Sequence, residues 1–145
     1  MDSEFEVIKL EYLVKIICIP EILEKSMLLS LVRLMINNKS RFITYTKSHN
    51  EISLVLDNDT LNTFNPTELG SVNIDPTDYR ILQIFENSCG MNHIGIVSRL
   101  SRLFSENEIP IMYINSYNNN YILYPDIFKT TIDTLISGSI HKNEI

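Results

Sequence analysis

The residues with the most capacity for chemistry lie between Cys89 and Pro125, in the run CGMNHIGIVSRLSRLFSENEIPIMYINSYNNNYILYP. Met91, Asn92, His93, Ile94 and Gly95 form a polar, glycine-marked turn that leads into an amphipathic helix. Gly90 and Gly95 allow backbone dihedrals and close approaches that a Cβ would block. A helix start leaves amide donors unpaired, so a small anionic or carbonyl group can dock there. The strand carrying Ile109, Pro110 and Ile111 follows the helix and offers an edge as a second wall. Beyond it, Ser116, Tyr117, Asn118 and Asn120 supply hydroxyl and amide groups from a turn. This is the chemistry of non-covalent recognition. Each residue also has a structural reading. Gly95 permits close helix–strand packing, and His93 reads as a capping or surface side chain. The asparagines suit a hairpin turn because they tolerate positive φ. Tyr117 either covers a pocket or packs between subunits.

Catalytic patterns are missing from the chain. It holds no GxSxG, HExxH, Walker loop or Rossmann glycine set, so no enzyme activity is expected. Asp57 and Asp59, beside Leu56 and Leu61, read as a helix cap, and Asp75 and Asp78 flank Pro76 in a loop. The two cysteines, Cys18 and Cys89, make no CxxC or Cys/His spacing of the kind zinc requires. No metal and no cofactor are expected. Cys18, in VKIICIP, reads as a buried thiol. Cys89 sits in the candidate turn, where a reactive role competes with a structural one.

The formal net charge of −6 argues against nucleic acid as a partner, which needs clustered Lys and Arg. Lys39, Arg41, Arg99 and Arg102 read as solvated faces. No apolar run reaches the length of a membrane span, and MDSEFEVIKL has no signal-peptide pattern, so a reducing, cytoplasmic location is expected.

The elements that must position the candidate residues follow from periodicity. Phe5 to Ile19 reads as two strands with a kink near Glu11. Pro20 precedes the helical run EILEKSMLLSLVRLMIN, with Leu28, Leu31, Val32 and Met35 as its stripe. That helix is apolar around much of its circumference and calls for cover on more than one side. Residues 41–46 and 51–56 form a hairpin across KSHNE, and a short helix begins at DNDTLNTF with Asp57 or Asp59 as cap. Residues 79–85 form a strand and 93–107 a helix with Val97, Leu100 and Phe104 inward. Residues 109–115 and 120–124 form a second hairpin. The last helix opens at Pro125 and Asp126, turns Phe128, Ile132 and Leu135 inward and stops at Gly138. SIHKNEI has room for a short strand. Strand–helix–strand–strand–helix therefore occurs twice, near 12–64 and 79–137. The expected fold is α+β, two ferredoxin-like βαββαβ units packed side by side, divided as residues 1–70 and 71–145.

RFITYTKSHNEISLVLDNDTLNTFNP resembles the first ACT repeat of the CASTOR (GATS-like) arginine sensors. HIGIVSRLSRLFSENEIPIMYINSYNNNYILYPDIFKTTIDTL is similar to that family's later ACT repeats with a Gly-Ile-Val helix start. Small bacterial tandem-ACT proteins share the pattern, which covers about residues 40–140. The resemblance implies a pair of ACT units that binds a small amino acid between repeats, arginine in the family. It also implies a homodimer that rebuilds a four-repeat assembly and a regulated protein complex in the TOR pathway. The family's contact positions match Met91 to Gly95, Ile109 to Ile111, and Ser116 to Asn120. Pro110 stands where the family has a binding serine, and neutral Asn120 stands near its acidic position. A guanidinium seeks a carboxylate, so both departures point away from arginine, toward another amino acid or a ligand-free interaction module.

Overall fold

The computed structural model describes residues 5–36, 41–64, 70, 72–86, 96–117, 119–139 and 141–144. The chain divides into two compact units. One is continuous, Tyr12–Asp78, and the other is split, Met1–Glu11 together with Tyr79–Ile145.

In the continuous unit, β2 (Val14–Pro20) leads through a short 3₁₀ turn into α1 (Glu24–Ile36). The hairpin β3 (Ile43–Lys47) and β4 (Glu51–Asp57) follows, then the single turn α2 (Asn58–Leu61) and β5 (Asn73–Ile74). The strands lie in the order β3-β4-β2-β5, all antiparallel. This is the ferredoxin-like arrangement, in which two βαβ halves interleave. Its core joins Ile17, Ile19, Met27, Leu31, Leu34, Ile52, Leu54 and Leu56, with Ile43 and Tyr45 packed against it.

The split unit repeats the plan with one change. β6 (Tyr79–Glu86), α3 (Ile96–Glu106), β7 (Met112–Asn115), β8 (Asn120–Pro125), α4 (Lys129–Ser139) and β9 (His141–Glu144) follow in order. The strand order is β7-β8-β6-β1-β9, where β1 is Phe5–Lys9. β1 runs antiparallel to β6 and parallel to β9. It takes the place beside β6 that β5 takes beside β2. The unit boundaries therefore differ from a single division at residue 70, because the first strand pairs with β6 and not with its neighbour in sequence.

Local chemistry sets the element ends. Asp57 caps α2, accepting hydrogen bonds from the Thr60 amide at 3.1 Å and the Thr60 hydroxyl at 2.7 Å. It also accepts the amides of Arg41 at 3.1 Å and Phe42 at 3.3 Å, tying the start of the β3 segment to the end of β4. Nearby, Asp78 pairs with Lys15 at 2.8 Å and accepts from the Asn58 amide at 3.0 Å, and these partners hold its carboxyl below the ordinary range. In the split unit α3 closes with Glu108 in the left-handed region, φ 56°. The Glu108 amide donates to Ser105 O and the Ile109 amide to Phe104 O, the paired bonds of a Schellman motif. Ile109 and Phe104 both enter the core there.

One expected stripe and one expected helix end differ from the structure. In α1 the buried positions are Met27, Leu31 and Leu34, whereas Val32 and Met35 are 40% and 52% exposed. The helix is apolar at so many positions that the 3.6-residue period cannot choose between adjacent faces. The side chains of Leu28 and Val97 lie outside the described residues. The last helix turns Ile132 and Leu135 inward as expected, with Phe128 of the preceding turn on the same core and Ile136 added, but it runs through Gly138 to Ser139. A glycine one residue before a helix end costs too little to stop it where the strand beyond is paired.

Asp57 is buried with four donors on it. Burial pushes its pKa up, and the hydrogen bonds from Thr60, Phe42 and Arg41 together outweigh that and hold it below the ordinary value. Its contribution to stability is thus present above about pH 3.9 and is lost as pH falls through the lower folded value. Asp57→Ala is expected to cost about 2–4 kcal/mol, from the lost cap and the stranded amides. Asp57→Asn should lose the corresponding part of the acid limb in urea unfolding measured from pH 2 to 6.

Candidate functional site

The residues singled out in the sequence fall into three groups. Met91, Asn92, His93, Ile94 and Gly95 lie outside the described residues, as do Gly90, Cys89 and Asn118. Ile109 is buried in the core of the split unit, while Pro110 is exposed and Ile111 half-buried. Ser116 and Tyr117 are exposed, Tyr117 fully, and Asn120 is half-buried at the first position of β8. The β7–β8 turn is closed by the Ser116 backbone amide donating to Asn119 O at 2.8 Å and braced by Gln83 Nε2 donating to Asn119 Oδ1 at 3.0 Å.

Cys18 is half-buried instead of buried. Strand alternation turns it away from Ile17 and Ile19, and its thiol donates to Glu51 Oε2 at 3.3 Å. Burial, then the hydrogen bond to Glu51 and its charge, push the thiol pKa up, which opposes nucleophilic use. Among the described residues no group of three or more His, Cys, Asp or Glu could hold a metal ion. No helix of the described residues is long and apolar enough to cross a membrane.

A cleft that the sequence reading did not single out lies in the split unit. Its volume is about 490 Å³, and it is lined by Lys9, Leu10, Glu11, Arg80, Tyr124, Lys129 and Asp133. Three adjacent strands build one wall by simple alternation. Val7 faces Ile84 and Lys9 faces Leu82 across β1 and β6, and Arg80 faces Tyr124 across β6 and β8. Val7, Leu82, Ile84, Ile122 and Tyr124 are core, so Lys9 and Arg80 continue the same face where the apolar part ends. On α4, Lys129 and Asp133 are one turn apart and line the other wall, above the buried Ile132 and Ile136.

The charges are partly matched. Lys9 Nζ donates to Asp133 Oδ1 at 2.6 Å, and Arg80 Nε donates to Asp126 Oδ1. Lys129 and Glu11 have no ion-pair partner among the described residues. Tyr124 is 1% exposed, and its hydroxyl has no hydrogen-bond partner among the described residues. Burial, with the Asp133 carboxylate beside it, pushes the phenol up to about 12, while Arg80 and Lys9 oppose the rise. The phenol is therefore a neutral donor at physiological pH.

No family model matches the sequence, and no curated protein matches it. Solved structures do share the fold. Protein Atu0741 from Agobacterium tumefaciens is 16% identical, with a TM-score of 0.68 over 99% of this chain and 96% of that one. The ligand-free regulatory subunit of aspartate kinase from Thermus thermophilus is 10% identical, with a TM-score of 0.64 over 95% of this chain and 99% of that one. Aspartate kinase from Clostridium acetobutylicum, described as an allosteric enzyme, is 13% identical, with a TM-score of 0.69 over 94% of this chain but only 34% of that one. At these identities the likeness is one of fold, α+β and ferredoxin-like.

Spectrophotometric titration at alkaline pH should show one of the seven tyrosines ionising with a midpoint of about 12, and Tyr124→Phe should remove it. Because the folded value lies above the ordinary one of about 10, the associated stability is complete below pH 10 and is lost as pH rises through the folded value.

Proposed function

We propose that this chain is a non-catalytic, cytosolic regulatory protein that binds a small amino acid and reports its occupancy to a protein partner. The observation that carries the reading is the fold likeness to the Thermus thermophilus regulatory subunit, which spans nearly all of both chains. The ligand site is the glycine-marked turn Met91 to Gly95, with Ile109 to Ile111 and Ser116 to Asn120 as the opposite wall. The ligand stabilises one arrangement of the site, the partner prefers another, and each changes the other's affinity by the same factor. Arginine and a TOR-pathway complex are the ligand and partner that the CASTOR resemblance implies; the matched structures named above lend neither any support. Pro110 and Asn120 point away from arginine, toward another amino acid or toward the ligand-free module described next.

One observation favours a second reading, a ligand-free dimerisation module. The outer face of α1 and the turn before it exposes Ile22, Leu29, Val32, Met35 and Ile36. Apolar side chains clustered this way are typical of a surface that meets another protein. On this reading a second copy covers them in a homodimer.

Calorimetric titration of the folded protein with each of the twenty amino acids separates the two. Binding of at least one at millimolar concentration or tighter is expected, weakened about tenfold or more by Gly95→Val, whose added side chain fills the turn. Silence toward all twenty, together with a dimer mass by light scattering that Met35→Glu reduces to a monomer, would replace the sensor reading with the module.

A further inference from the structure

We propose that the cleft between α4 and the β1-β6-β8 face of the split unit is a binding site for a small oxyanion, a carboxylate or phosphate group. Lys129, Arg80 and the Tyr124 hydroxyl would hold it. None of these residues belongs to the turn assigned to the amino acid, so the proposal stands or falls independently of that reading.

The cleft holds hydrogen-bond donors without acceptors. A donor on the wall of a cleft, already partly removed from water, gains when a ligand brings the acceptor. The Tyr124 ring is buried, and its hydroxyl reaches the cleft without a hydrogen-bond partner among the described residues. Lys129 brings three N–H donors and no ion pair among those residues. Arg80 commits Nε to Asp126, which leaves the terminal nitrogens of its fork for a planar or tetrahedral anion. Of the acceptors, Asp133 in the lining takes Lys9, and Asp126, outside it, takes Arg80. Donors thus outnumber free acceptors, the reverse of what a cation site requires. Glu11 is the one carboxylate of the lining without an ion pair among the described residues, and it is exposed, where salt screens its repulsion.

The side chains come from strands and a helix, not from a loop. Arg80 and Tyr124 are cross-strand partners, and Lys9 and Asp133 brace the two walls against each other at 2.6 Å. That gives the donors a prepared geometry, which lowers the ordering cost of binding. The volume of about 490 Å³ admits a metabolite-sized ligand, with room beyond its anionic group.

The test is a ¹H–¹⁵N NMR titration of the full chain with inorganic phosphate and, separately, with succinate, each against sodium chloride at equal ionic strength. Saturable shifts are expected at the amides of Leu10, Arg80 and the first turn of α4. Lys129→Met should weaken binding about tenfold or more, since a charge-assisted contact is lost, and Tyr124→Phe several-fold. Saturation by phosphate alone assigns a phosphate ligand, and by succinate alone a carboxylate. Absence of saturation by both up to about 20 mM overturns the proposal, as do shifts that both variants leave unchanged. Lys129 is exposed, so its substitution carries the test even where Tyr124→Phe disturbs the core.

Discussion

The pairing of β1 with β6 is the constraint on which the split unit depends. In the continuous unit β2 has β4 on one side and β5, later in the same segment, as its other partner. In the split unit that position is filled by residues 5–9, and β9 adds outside them. Val7, at the centre of β1, has no exposed surface and joins the core with Leu82 and Ile84. Without β1, β6 would present unpaired amides and carbonyls, and β9 would have no strand to lie against. The contact is remote in sequence, so its ordering entropy must be overcome before its hydrogen bonds and apolar burial contribute.

The same pairing makes the cleft. Alternation along β1, β6 and β8 aims one side chain in two at the helices. Over most of the face these are aliphatic, and at one end they become Lys9, Arg80 and the tip of Tyr124. Two ion pairs tie that end to α4 and the turn before it, so the polar margin is ordered by the fold itself. Partly buried pairs of this kind add little net stability, because desolvation offsets attraction. Their effect is to hold the walls in register.

What could be read from the sequence follows from how local the signal was. The Asp57 cap, the KSHNE hairpin, α3 with Leu100 and Phe104 inward, and the order of elements in each repeat all rest on residues within a few positions of one another. The membership of β1 did not show, because FEVIK has the same alternation whichever strand it meets. The face of α1 did not show, because too many of its positions are apolar for period alone to decide. Cys18 looked buried because its neighbours are aliphatic, yet strand alternation turns it outward. The cleft was illegible for a related reason. Its residues come from positions 9–11, 80, 124 and 129–133, and no spacing in the chain connects them.

The interleaved order of the units bears on synthesis. On the ribosome β1 emerges well ahead of β6, and the whole of Tyr12–Asp78 is made between them. That intervening segment has every strand of its own sheet in hand and is free to condense as soon as it clears the exit tunnel. Meanwhile β1 waits as an unpaired strand, open to mispairing with another nascent chain until its partner arrives. Slow translation through β6 would lengthen that wait, and a chaperone that shields residues 5–9 would shorten the list of ways to misfold.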